Sequence, residues 1–126
     1  MKAAIAGIGA TEFSKDSGRS ELQLAVEAWK LLEADGVATR VVSMPSVELF
    51  DAQEQAYRDS VLPPSVKARV TVEAGVAQPW YRFAGDHGEI ISIEHYGASA
   101  DYQTLFREFG FTPEAVVAAA ERSLEN

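Results

Sequence analysis

The stretch from Ala3 to Pro45 leaves this chain little choice of architecture. Ala3-Ala4-Ile5-Ala6 is a short apolar run bounded by Gly7 and Gly9, the pattern of a buried strand. Ser20 to Glu33 carries Leu22, Ala25, Val26, Trp29 and Leu32 at helical spacing, with Leu24, Ala28 and Leu31 widening the stripe. Thr39 to Met44 is rich in β-branched residues and stops at Pro45, which has no N–H to offer a sheet. Strand, helix and strand in that order make a βαβ unit. Such a unit implies a parallel sheet with a right-handed crossover, so the expected class is α/β.

The boundaries have local physical causes. Ser20 and Gln23 have the spacing of a capping box, in which each side chain satisfies an orphan N–H of the first turn. Asp35-Gly36 stops the helix because Gly36 can take the left-handed cap conformation. Trp29 is expected in the core. Ser46 can cap a helix through Glu48, Leu49, Phe50 and Gln53, continuing through Tyr57 and Val61 until Pro63-Pro64 ends it. Lys67 to Glu73 alternates polar and apolar residues, which predicts a half-exposed strand. Gly85-Asp86-His87-Gly88 reads as a turn, and Glu89 to Glu94, with Ile90, Ile91 and Ile93, as a fourth strand. Asp101 caps a helix from Tyr102 to Glu108, which Gly110 ends. Thr112 caps the last helix, with Pro113 at its first position. Its packed face is expected to be Ala115, Val116, Ala119 and Leu124.

Composition narrows the chemistry. A chain of 126 residues makes one domain, burying roughly two thirds of its unfolded surface. There is no cysteine, which excludes disulfides, thiolate metal sites and cysteine nucleophiles. Two histidines, His87 and His95, give little scope for a metal cage. The net charge is −8 and the eleven Lys and Arg are scattered, which argues against DNA, RNA and anionic membranes as partners. No apolar run approaches the roughly 20 residues of a spanning helix. Met1 to Gly7 lacks the layout of a signal peptide, so a cytoplasmic protein is expected.

Few residues suggest a site. Gly7-Ile8-Gly9 resembles the start of a dinucleotide fingerprint, but its third glycine would fall at Glu12. A strand-end turn accounts for it better. Glu48, Asp51, Glu54 and Asp59 match no calcium loop and read as a solvated helix face. Trp80, Tyr81 and Phe83 beside Arg82 can stack on a ring, or pin a short helix to a sheet edge. His95, at a strand end, can exchange a proton near neutral pH or serve structurally. The candidate ligand or interface cluster is therefore Trp80, Tyr81, His95 and Tyr96, set against the carboxyl ends of the strands, where open α/β sheets bind ligands. No catalytic, cofactor-binding or metal-binding residue is assigned.

Several motifs in order carry a family likeness: Ser20-Glu21-Leu22-Gln23-Leu24-Ala25-Val26-Glu27-Ala28, Arg40-Val41-Val42-Ser43-Met44-Pro45-Ser46, Glu48-Leu49-Phe50-Asp51-Ala52-Gln53 and Tyr57-Arg58-Asp59-Ser60-Val61-Leu62-Pro63. Ala68-Arg69-Val70, Val72-Glu73-Ala74-Gly75, Tyr96-Gly97-Ala98-Ser99-Ala100 and Phe106-Arg107-Glu108-Phe109-Gly110-Phe111-Thr112 continue it. From about residue 20 to 126 the chain resembles the C-terminal domain of a transketolase. That likeness implies a three-layer domain with a mostly parallel, about five-stranded sheet flanked by helices. Residues 3–28 instead resemble the start of a thiolase-like acyltransferase. They suggest a chimera in which a leader, residues 1–19, supplies a first strand and a loop ahead of a domain over 20–126. Thiolases need a cysteine nucleophile, which is absent here.

The transketolase likeness implies a parent reaction of the pentose phosphate pathway, two-carbon ketol transfer between sugar phosphates. The parent enzyme uses thiamine diphosphate with magnesium or calcium. The motifs that hold that cofactor belong to two earlier domains, and Gly85-Asp86-His87 is not one of them. The expected function is thus a non-catalytic structural or assembly domain, inert alone, with other transketolase domains or a second copy as partner. The alternative is a free-standing α/β module that binds a small ligand or a protein.

Overall fold

The computed structural model describes the backbone of residues 4–8 and the whole of residues 21–126. Four strands form one sheet in the order β2-β1-β3-β4, with every pairing parallel. They are β1 (Ala4–Ile8), β2 (Thr39–Ser43), β3 (Arg69–Val72) and β4 (Glu89–Ile91). The apolar run at the start of the chain therefore supplies an inner strand: Ile5 is opposite Arg40 on one side and Arg69 on the other. The helix α1 (Glu21–Ala34) makes the crossover from β1 to β2. The βαβ unit expected from Ala3 to Pro45 is present.

The fold has three layers. On one face α1 packs with α6 (Pro113–Glu125) over the sheet. The core there joins Leu24, Ala28 and Leu32 to Val70, Val72, Phe111, Val116, Ala119 and Ala120. Alanines on both helices let their axes approach closely. On the other face, Val42 and Met44 meet Trp80 and Phe83, with Phe50, Val61 and Leu62 around them. This layer is built from α2 (Val47–Asp51), α3 (Gln55–Val61), a 3-10 turn at Gln78–Trp80 and α4 (Tyr81–Ala84). Helix α5 (Tyr102–Glu108) precedes α6.

The caps behave as the sequence suggests. Gly36 adopts φ +80°, and the Val37 N–H donates to the Leu32 carbonyl at 2.9 Å, closing the end of α1. Gly110, at φ +81°, ends α5 in the same way, the Phe111 N–H donating to the Phe106 carbonyl at 2.7 Å. Ser46, Asp101 and Thr112 each accept an N–H of their own first turn, from Leu49, Thr104 and Ala115. The Ser20 half of the first capping box, and the leader loop 11–19, lie outside the described residues.

Five expectations need correction, the last of them at β3. The sheet has four strands among the described residues, not about five, because the chain leaves the sheet after β4. The Ile93 N–H still donates to the Gly75 carbonyl at 2.7 Å, but Glu94 to Asp101 is exposed loop. The long helix after Ser46 is two short ones, interrupted at Ala52 to Glu54. Trp29 and Leu31 are 37% and 45% exposed, since the buried stripe of α1 is centred on Leu24, Ala28 and Leu32. Similarly, Ser123 rather than Leu124 completes the buried face of α6.

The largest correction concerns β3. Its alternation suggests one wet face, yet Val70, Thr71 and Val72 are all buried. An inner parallel strand is covered on both sides, so its polar residues lie under the α4 layer. Thr71 is 2% exposed and its hydroxyl has no hydrogen-bond partner among the described residues. Thr71→Val, nearly isosteric, is therefore expected to leave stability unchanged or raise it by up to about 1 kcal/mol, read from urea melts. A loss of more than that would show that the hydroxyl is satisfied in solution.

Candidate functional site

The strand order reverses direction between β1 and β3, and ligands of open α/β sheets bind at the carboxyl ends beside such a reversal. At that edge the chain leaves β3 through Glu73, Ala74 and Gly75, and leaves β4 through Ser92, Ile93 and Glu94. The two exits are laced together. The Glu73 N–H donates to the Ile91 carbonyl at 3.1 Å. One carboxylate oxygen of Glu94 accepts the Ala77 N–H at 2.6 Å and the Ser92 hydroxyl at 2.9 Å.

Glu73 is the unusual group here. One of its carboxyl oxygens is buried without a partner among the described residues. Burial, and then the charge of Glu21 at the start of α1, push the carboxyl up to about 7. The unfolded chain gives up this proton first, near 4.5, so Glu73 costs stability as pH rises from there through about 7. Glu73→Gln is expected to match the parent at pH 4 and exceed it by about 1 kcal/mol at pH 8, a figure reduced for solvent screening at this half-exposed group. Paired urea melts across that range check it. Equal stability at both pH values would mean that Glu73 ionises normally.

The four candidate residues lie in different surroundings. Trp80 is 5% exposed and tilts against Phe83 with ring centroids 5.6 Å apart, so it is a core side chain. Tyr81 and Tyr96 are 65% and 99% exposed. His95 sits edge-on to Phe109 with centroids 4.7 Å apart, and its Nδ1 lies 2.7 Å from the Tyr96 carbonyl. A carbonyl can only accept, so Nδ1 carries the proton and Nε2 is left as the open nitrogen. Among the described residues no ring contact or hydrogen bond joins Trp80 or Tyr81 to His95 or Tyr96.

The acidic residues of α2 and α3 are surface groups with local partners: Asp51 pairs with Arg82 at 2.7 Å, and Asp59 accepts from Gln55 at 2.6 Å. Among the described residues no group of three His, Asp or Glu side chains could hold a metal. Among the described residues, too, no helix is long and apolar enough to cross a membrane. Sequence reading missed Glu73 as a perturbed acid and Arg69 as a half-buried cation held by carbonyls, because both occupy the polar positions of a strand taken as half-exposed.

Residues 17–112 match the family described as a transketolase-like TK C-terminal domain. The chain is 70% identical over 107 residues to the transketolase of Mycobacterium leprae, covering 85% of this chain and 15% of that protein. It is 53% identical over 105 residues to transketolase 1 of Escherichia coli, covering 83% of this chain and 16% of that protein. Among solved structures, a transketolase from Leishmania mexicana superposes with a TM-score of 0.80 at 37% identity. That superposition covers 98% of this chain and 16% of the other. The chain thus spans about 15% of the length of the curated relatives it matches.

Proposed function

The chain belongs to the transketolase C-terminal-domain family, and from that premise we propose that it serves as a non-catalytic structural and assembly domain of a transketolase-type transferase. The parent reaction in this reading is two-carbon ketol transfer between sugar phosphates, with thiamine diphosphate and its magnesium or calcium held by the family's other domains. The observation that carries the proposal is the use of the polar groups at the carboxyl edge. Among the described residues, Glu94, Ser92 and the Glu73 backbone bind their own loops. The partners proposed are the other transketolase domains or a second copy of the chain. Tyr81, His95 and Tyr96 are the proposed interface side chains, being apolar or aromatic and exposed.

Residues 1–19 are proposed to be a leader that stands in for the family's own first strand. Two facts support this: the family match begins at residue 17, yet Ala4–Ile8 occupies an inner position in the sheet. The thiolase-like character of residues 3–28 rests on those residues alone. The test is a domain exchange, replacing the C-terminal domain of the Mycobacterium leprae transketolase with residues 1–126. The proposal expects ketol transfer within about threefold of the parent and no transfer by the chain alone. A folded, cofactor-loaded hybrid that stays monomeric and inactive would overturn it, as would turnover by the chain alone.

A further inference from the structure

The amino-terminal edge of the sheet, opposite the carboxyl edge, carries a cavity of about 320 Å3. Its walls include Lys67, Arg69, Arg82, Asp86 and His87. In a chain of net charge −8, three of its eleven Lys and Arg meet at this one place. Arg69 is fixed there by carbonyls: its Nε donates to Val66 at 2.9 Å, Nη1 to Phe83 at 3.1 Å and Nη2 to Pro63 at 2.9 Å. Carbonyls orient a guanidinium but do not neutralise it. Among the described residues no carboxylate pairs with Arg69 or Lys67, whereas Arg82 is committed to Asp51 at 2.7 Å.

The walls are braced from behind. The buried Ser123 hydroxyl accepts the Arg69 N–H at 3.0 Å and donates to the His87 carbonyl at 2.6 Å. His87 Nδ1 lies 3.1 Å from the Asn126 carbonyl. Gly88 seats this turn so tightly that a Cβ there would come within 2.2 Å of the Ala84 carbonyl oxygen. A half-buried, rigidly held cation beside a lysine that meets no carboxylate among the described residues is a site in which an anion replaces lost solvation at little ordering cost.

We propose that this cavity binds a small anion of the phosphate class, held between Lys67 and Arg69. Asp86 opposes the charge but can accept a hydroxyl, so it discriminates between a free phosphate ion and a hydroxylated monoester. The test is a titration of the full chain with inorganic phosphate, against chloride at matched ionic strength, followed by amide NMR of Gly85 to Gly88. Saturable shifts are expected, weakened about tenfold in Lys67→Glu and by less than about twofold in Lys30→Glu, which alters an exposed lysine on α1. Both changes are at exposed side chains, so the fold is retained. Shifts that do not saturate, or that weaken equally in both variants, would overturn the proposal. A parallel arm uses glycerol 3-phosphate. Tighter binding of that ester assigns the site to monoesters and tighter binding of inorganic phosphate to the free ion, and either supports the site.

Discussion

Phe111→Ala is expected to lower unfolding free energy by about 3–5 kcal/mol. Phe111 is 2% exposed and lies in the core between α1, α6 and the sheet. It also closes the cap after Gly110, where its ring lies 5.4 Å from that of Phe106. The deletion thus opens a cavity and removes the apolar contact that fixes the angle between α5 and α6. Domains of this size have about 5–15 kcal/mol in all, so the variant should be marginal at 37 °C. A urea melt with a lower midpoint and an unchanged slope is the expected result. Phe111→Leu should recover more than half of the loss. A deficit below about 1 kcal/mol for Phe111→Ala would mean that the helix pair repacks and that Phe111 is not the hinge of this core.

Arg69→Met should cost about 3 kcal/mol for a different reason. The methionine fills the space but leaves the carbonyls of Pro63, Val66 and Phe83 without the donors they now have. These carbonyls belong to separate segments, the end of the α3 connection, the approach to β3 and α4, so one fork ties three pieces of chain. Burial already pulls the guanidinium below its ordinary value, but it stays charged at any working pH. Arg69→Lys should recover less than half of the loss, since an ammonium cannot reach three carbonyls in one plane. Full recovery by lysine would show that charge alone matters at this position. Equilibrium unfolding of the three proteins, with amide exchange at Val66 and Phe83, distinguishes the two accounts.

Much of this was legible in the residues because it is local. Ser46, Asp101 and Thr112 cap the helices after them, and Gly36 and Gly110 end the helices before them, since each acts within a few residues of itself. The candidate site was less legible. Trp80, Tyr81, His95 and Tyr96 are close in sequence, but Trp80 points into the core while His95 and Tyr96 follow β4 out of the sheet. Arg69 and Glu73 looked like solvent-facing positions, because alternation reports which residues share a face and not whether anything covers it.

The sequence by itself determined the βαβ start, the parallel class, the helix ends at Gly36, Gly110 and Thr112, and the family. Each follows from spacing, capping or motif order along the chain. Only the tertiary structure decided that β3 is an inner strand, with Thr71 hidden, Arg69 held by carbonyls and Glu73 driven toward its neutral form. The physical reason is that desolvation depends on what lies above and below a residue. The layer that covers Thr71 and Arg69 includes Leu62, Trp80 and Phe83, which no pattern inside β3 can register.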